Sequence, residues 1–119
     1  MNWIELKNQD QLDLLQAESK KQPVLIFKHS TTCSISQTTL ARLERNWNEV
    51  EMNSIKPYYL DLLSYRNISN RIAGMFDVEH QSPQVIMLRA GEVVFHKSHF
   101  EINMTGIKQA MLATVPIKN

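Results

Sequence analysis

Cysteine is nearly absent from this chain of 119 residues, which contains Cys33 and no other. A lone cysteine excludes an internal disulfide, a Cys-x-x-Cys redox pair and every cysteine-rich zinc module. Glycine is also scarce, with three residues, and proline occurs four times. No repeat or low-complexity tract divides the chain. We therefore expect one domain over residues 1–119, long enough to bury a hydrophobic core.

Long hydrophobic runs and an excess of one charge are missing as well. The longest apolar runs have four residues, at Val24–Phe27, Val85–Leu88 and Ala110–Ala113, whereas a membrane-spanning helix needs roughly 18. The 13 lysine and arginine residues nearly balance 12 acidic ones, which argues against a nucleic-acid partner. The first residues do not resemble a secretory signal. We therefore expect a cytoplasmic protein that contacts neither membrane nor nucleic acid.

Hydrophobic periodicity predicts alternating strands and helices. The apolar run Val24–Phe27 is typical of a strand buried on both faces, and Gly91 can adopt the positive φ that a hairpin turn requires. The first predicted elements are strand 3–6, a helix from Asn8, with Gln11 at its start, to about Lys21, and strand 24–27. They are followed by a helix from Ser34 through Leu40, Leu43, Trp47 and Val50, strand 58–62, and a helix with Ile68, Ile72, Met75 and Phe76. The chain then has a hairpin of 85–88 and 93–95, and a last helix with Met104, Ile107, Met111 and Val115, with Asn103 as its cap and Pro116 beyond its end.

This order of elements predicts an α/β protein with a mixed central sheet flanked by helices. The order combines right-handed parallel crossovers between strands with one antiparallel hairpin. The order resembles a thioredoxin-like fold. Fold alone identifies no activity, because one fold serves many functions.

Cys33 lies in a hydroxyl-rich segment, 30–36, between a buried strand and the start of a helix. Free N–H groups and the helix dipole favour an anion there, so the thiol should ionise readily, and the thiolate is the nucleophile of thiol chemistry. An unreactive core cysteine is the alternative. A turn rich in hydroxyl groups is a poor place for a core residue, and we therefore predict that Cys33 is reactive.

Two serines beside Cys33 have competing interpretations. Ser36 occupies the position where a second cysteine would complete Cys-x-x-Cys. Its hydroxyl is expected to cap the helix, or to hydrogen-bond the thiolate, and it cannot close a disulfide. In the other register Ser34 is the cap and Gln37 completes a capping box. The sequence leaves both registers open.

The histidines and the residues after Cys33 point away from metal and phosphate chemistry. His29 lies at the end of a buried strand, where we expect a structural role. A low-molecular-weight phosphatase would need arginine where this chain has Thr39. No tight Cys/His spacing supports a zinc site, so no metal is predicted at the remaining histidines, His80, His96 and His99.

Three parts of the chain resemble the monothiol bacilliredoxins, thioredoxin-like redox proteins of the bacillithiol system. They are Lys28–Ser36, His80–Gln84, and Ser98-His99 ahead of Ile102-Asn103. The resemblance extends over nearly the whole chain, and its most specific element is the Thr-Cys-x-Ile-Ser segment. That family commonly has proline directly after the cysteine, where this chain has Ser34. Serine should loosen the first helical turn and add an N–H within reach of the sulfur.

The resemblance implies a cis peptide bond before Pro83 that faces Cys33, so that the Ser82 backbone pairs with the bound thiol or polypeptide. It implies thiol–disulfide exchange in which Cys33 takes bacillithiol from S-thiolated client proteins, and another thiol then resets Cys33. Bacillithiol is thus a co-substrate, and no bound cofactor is implied. The residues expected to line the substrate site are Thr32, Ser34, Ser36, Ser82 and Pro83.

Two alternative functions remain at this point. A monothiol glutaredoxin would carry Cys-Gly-Phe-Ser, which would place glycine and phenylalanine where this chain has Ser34 and Ile35. A non-catalytic protein-binding module of the same fold would keep Cys33 packed. It would use the groove beside Pro83 to hold extended segments.

Overall fold

A computed structural model describes residues 2–113. Strands and helices follow one another in the predicted order. They are β1 (Ile4–Glu5), α1 (Asp10–Glu18), β2 (Val24–His29), α2 (Ser34–Asn46), β3 (Lys56–Asp61), α3 (Arg66–Phe76), β4 (Gln84–Arg89), β5 (Glu92–Ser98) and α4 (Met104–Leu112), with a 3-10 helix at His99–Glu101 before α4. No helix within residues 2–113 is long and apolar enough to cross a bilayer.

The strands form one mixed sheet in the order β1-β3-β2-β4-β5. The central strand β2 is parallel to β3 and antiparallel to β4. β1 pairs in parallel with β3, and β5 pairs antiparallel with β4 through an irregular register at Met87 and Leu88. The last residues of β2 and β3 and the first residue of β4 therefore lie together, at what we call the carboxyl end of the sheet.

Helices cover both faces of this sheet. Side chains alternate between the faces along a strand, and β2 is buried over its whole length. Val24 and Ile26 pack against apolar side chains of α1 and α3, whereas Leu25 and Phe27 pack against those of α2 and α4. The prediction of a strand buried on both faces is confirmed.

Side-chain hydrogen bonds lie at the starts of α1 and α4, at the residues that the sequence predicts. The N-cap residue of α1 is Gln9, whose side chain makes no capping bond, and the bonds at this helix come from Asn8, one residue earlier. The Gln11 N–H donates to Asn8 Oδ1 over 3.0 Å, and Gln11 Oε1 accepts the Asn8 N–H over 3.2 Å. This reciprocal pair satisfies two N–H groups that the helix leaves free. At α4 the Asn103 side chain accepts the Gly106 N–H over 2.8 Å.

The predicted hairpin turn consists of Ala90 and Gly91, with φ values of 54° and 80°. Two positive φ values suit the two-residue turn whose twist matches that of the flanking strands. The backbone N–H groups of Ala90 and Gly91 donate to the carbonyl and hydroxyl oxygens of Ser19, over 2.7 and 2.8 Å. These bonds offset the strain of a left-handed conformation at Ala90.

The predicted extent of α2 was wrong at its far end. The helix ends at Asn46, and Trp47 adopts an extended conformation with ψ of 118°. Val50 is 82% exposed and belongs to the connection that follows. Val50 is apolar and stands at helical spacing from Trp47, which led to the prediction, but no core side chain covers it.

Smaller differences concern other boundaries. Helix α1 ends at Glu18, and the residues up to Lys21 form a turn. β3 begins at Lys56, two residues earlier than predicted. The predicted helix positions Val115 and Pro116 lie outside the described residues.

Candidate active site

Cys33 lies at the carboxyl end of the sheet, between β2 and α2. It is the N-cap residue of α2 with φ of −102° and ψ of 120°, and the prediction that a helix begins beside it is confirmed. Its N–H donates to the Ser30 carbonyl over 3.2 Å, and its own carbonyl accepts the Gln37 N–H over 3.0 Å. The residue is half-buried and forms no disulfide. A thiol in this position is accessible and close to the positive end of a helix dipole.

Ser36 faces β2 instead of capping α2. Its side chain is completely buried, and its Oγ atom lies 2.7 Å from His29 Nδ1. The same oxygen accepts the Ser30 backbone N–H over 3.1 Å. The capping interpretation of Ser36 was therefore wrong, because this hydroxyl is held one turn inside the helix by groups of the preceding strand and loop.

The second capping interpretation, with Ser34 as cap, was wrong as well. Ser34 is exposed and is the first residue of α2, while the N-cap position belongs to Cys33. No side chain caps this helix start. The Gln37 side chain donates to the Thr31 carbonyl instead of completing a capping box. The free N–H groups at the start of α2 therefore remain available near the sulfur.

His29 has the structural role that its position predicts, and it also holds Ser36. The imidazole is buried and lies 5.6 Å from the Tyr59 ring, measured between centroids. Burial lowers the pKa of His29, although the charges of Asp61 and Glu44 oppose this shift. The ring is therefore a neutral hydrogen-bond partner for Ser36. No local sequence pattern signals this contact, because it joins a strand to a helix.

The Ser82–Pro83 peptide bond is cis, as the resemblance implied. Pro83 directly precedes β4, whose first residue Gln84 pairs with Lys28. The proline loop and the segment before Cys33 therefore leave the sheet at the same end. Ser82 Oγ is the one buried side-chain oxygen or nitrogen within residues 2–113 that lacks a hydrogen-bond partner. A buried hydroxyl without a partner is a rare feature that a bound ligand can satisfy.

Lys28, which the sequence did not single out as functional, is a buried cation near this site. It is 0% exposed, and its Nζ lies 3.3 Å from the Ser69 carbonyl and 3.4 Å from His80 Nδ1. Burial lowers the pKa of Lys28 to about 8. Lysine is almost never fully buried unless it is paired. The available signal was a lysine directly after an apolar run predicted to be buried on both faces.

The other histidines are distributed over different elements. His80 lies beside Lys28, His96 lies on β5, and His99 begins the 3-10 helix. Within residues 2–113, no three side chains of histidine, cysteine, aspartate or glutamate gather as metal ligands.

Solved structures of similar fold are thioredoxins and related proteins. A structure described as a proposed oxidoreductase with a thioredoxin fold is 33% identical, with a TM-score of 0.77 over 90% of this chain and 91% of that one. The thioredoxin of Malassezia sympodialis gives a TM-score of 0.72 at 12% identity, covering 92% and 88% of the two chains. The thioredoxin of Trypanosoma brucei brucei gives 0.68 at 17% identity, covering 90% and 87%. Fold and single cysteine together define a thioredoxin-fold redox protein with one thiol.

The family follows from a second comparison. A family model described as monothiol bacilliredoxin BrxC matches residues 4–107. The chain belongs to the monothiol bacilliredoxin family. The predicted fold class and the resemblance are both confirmed.

Proposed function

We propose that this protein removes bacillithiol from S-bacillithiolated proteins by thiol–disulfide exchange at Cys33. The Cys33 thiolate attacks the bacillithiol sulfur of the mixed disulfide, a new S–S bond forms, and the client leaves as its thiolate. A second molecule of small thiol then attacks the adduct. The two small thiols leave together as a disulfide, and the Cys33 thiolate is restored. Each step therefore exchanges one S–S bond for another.

The location of the only cysteine carries this proposal. Cys33 is half-buried at the N-cap of α2, where the helix dipole stabilises the thiolate both as the attacking group and as the leaving group. The residue in the resolving position, Ser36, is buried and bound by His29 and the Ser30 N–H. No second thiol can therefore release the adduct from within the chain.

The loop before β4 supplies the surface for the bound thiol or polypeptide in this proposal. The Ser82 backbone pairs with the substrate beside Pro83, while Thr32 and Ser34 contact it from the other side of the sulfur. The exposed positions of Thr32 and Ser34 and the unpartnered Ser82 hydroxyl support these roles. The reaction needs a pool of reduced small thiol, so we also propose that the protein works in the cytoplasm.

The mechanism is tested by loading Cys33 with bacillithiol, and separately with glutathione, and following release by intact mass. The adduct should persist without added thiol and should leave at a rate that rises with thiol concentration. Cys33→Ser should take up no adduct. Spontaneous release from the unmodified chain would refute the monothiol mechanism, and equal loading by both thiols would refute the preference for bacillithiol.

Alkylation of the native protein with iodoacetamide separates exchange from simple binding. A reactive Cys33 should be modified in the folded state at a rate similar to that of an accessible thiol. A thiol that stays unmodified until the protein unfolds would favour the protein-binding module instead.

A further inference from the structure

His80 presents a hydrogen-bond donor at the surface beside the proline loop. Lys28 Nζ and Ser69 Oγ approach the same atom, His80 Nδ1, over 3.4 and 3.3 Å. An ammonium group has donors only, so Nδ1 is the acceptor and the ring carries its proton on Nε2. His80 is exposed. The buried lysine thus fixes the tautomer that offers an Nε2–H group to a ligand.

Arg66 adds a cation where the helix itself disfavours one. It is the first residue of α3, and the first turn of this helix contains no acidic residue, although helix N-termini favour negative charge. Arg66 lies three residues before Ser69 on α3, and Ser69 Oγ lies 3.3 Å from His80 Nδ1, so Arg66 and Ser69 share the face of the helix beside His80. Burial, followed by the positive charges of Lys28 and Arg66, lowers the pKa of His80. The ion pairs within residues 2–113 involve other side chains. Lys28 and Arg66 therefore contribute positive charge here that no ion pair within residues 2–113 neutralises, and Glu79, the carboxylate next to His80 in the chain, is exposed to solvent.

This positive cluster lies at the carboxyl end of the sheet, as Cys33 does. Helix α3 begins after β3, and the His80 loop leads into β4. Open α/β sheets bind ligands at the carboxyl ends of their strands. His80 precedes Pro83 by three residues, and a chain of that length spans at most about 10 Å. A thiol bound at Pro83 could therefore reach the cluster with a group some bonds away from its sulfur.

We propose that His80 and Arg66 form a carboxylate-binding subsite for the small thiol carried by Cys33, with Lys28 as the positioning residue for His80. The inference rests on the proposed function, because it needs a small thiol at Cys33. One imidazole N–H and one guanidinium match a single carboxylate. Small thiols built on cysteine carry such groups, so the small thiol is a better match than an extended acidic segment.

The test compares two disulfides that differ in their carboxylates. Glutathione disulfide carries them, and the disulfide of glutathione diethyl ester does not. The rate at which each disulfide forms an adduct on Cys33 is followed by intact mass at low ionic strength. The rate for glutathione disulfide divided by the rate for the ester disulfide measures carboxylate recognition. Arg66→Gln and His80→Gln, tested singly, should each lower this ratio about fivefold, as expected for an exposed charge-assisted contact.

Arg71→Gln is the matched control, because it removes the same charge from an exposed position on the same helix. Its ratio should stay at the wild-type value. An unchanged ratio in Arg66→Gln and His80→Gln would overturn the subsite, as would an equal fall in Arg71→Gln, which would reflect net charge alone. The same variants are also tested with glutathionylated acidic peptides. If Arg66→Gln and His80→Gln lower only the rate of adduct formation from these peptides, the cluster binds clients and the small-thiol subsite is overturned.

Failure of the proposed function has a different signature in the same experiment. A wild-type protein that reacts with neither of these disulfides, nor with bacillithiol disulfide, would refute exchange at Cys33, and the subsite with it. A protein that reacts with the ester disulfide at the same rate in every variant retains exchange, so that any change in the ratio reports on the carboxylate alone.

Discussion

Replacing Lys28 by methionine should make the protein more stable at neutral pH. A pKa of about 8 in the folded state, against 10.5 for an unperturbed lysine, means that burial of the charged ammonium costs about 3 kcal/mol at pH 7. Methionine is of similar length and carries no charge. Loss of the hydrogen bonds to Ser69 and His80 offsets part of the gain, and the expected net increase is about 1–2 kcal/mol in the free energy of unfolding.

The sign of this effect depends on pH. The pKa of Lys28 is lowered by folding, so between about pH 8 and 10.5 the unfolded chain binds more protons than the folded protein. The wild-type protein therefore becomes more stable relative to Lys28→Met as the pH rises. The advantage of the variant should shrink by about 2 kcal/mol between pH 7 and pH 9.5.

Urea unfolding at these two pH values measures both quantities. Lys97→Met is the control, since Lys97 is exposed on β5 and its replacement should change stability by less than about 0.5 kcal/mol at either pH. A Lys28→Met protein that is less stable than wild type at pH 7, or whose difference from wild type does not change with pH, would refute the reasoning. Lys28→Met should also lose selectivity for glutathione disulfide over the ester disulfide, because His80 loses the ammonium group that fixes its tautomer.

Three other substitutions test the site and the hairpin. Ser36→Ala deprives the His29 ring and the half-buried Ser30 N–H of their partner and should lower the free energy of unfolding by about 2 kcal/mol. The exposed control Ser34→Ala should change it by less than about 0.5 kcal/mol, and equal urea midpoints for the two variants would contradict this. Ser36→Cys should form an internal disulfide with Cys33 and release a bound thiol without added thiol, which intact mass detects; a persistent adduct would argue against it. Gly91→Ala should cost about 1 kcal/mol in thermal unfolding because φ is 80° there, and an unchanged Tm would refute the turn assignment.

The fold could be predicted from the sequence because its core follows simple periodicities. The apolar run Val24–Phe27 marks the central strand, and apolar side chains recur every three or four residues along α3. Such patterns report burial along a single element. They also placed Cys33 correctly between a strand and a helix, since the apolar pattern changes from that of a strand to that of a helix across this cysteine.

The site could be predicted only in part, because its decisive contacts join distant parts of the chain. His29 and Ser36 meet across a strand and a helix, and Lys28 meets His80 across 52 positions. Serine near a helix start favours a cap on local grounds, and tertiary packing overrode that preference at Ser36. Pro83 illustrates the reverse case, because the resemblance implied its cis bond while the physical chemistry of an isolated X–Pro pair favours trans.

The sides of the sheet resist growth by another chain. One side ends in β1, which has two residues, and the other in β5, which carries exposed His96 and Lys97 and pairs irregularly with β4. Short outer strands, charged side chains and bulges discourage a foreign strand from adding to a sheet. Within residues 2–113, the two outer strands therefore give an extended segment of another protein little opportunity to pair with the sheet. Under the proposed function, contact with S-thiolated proteins is therefore expected at the carboxyl end of the sheet, where Cys33 lies.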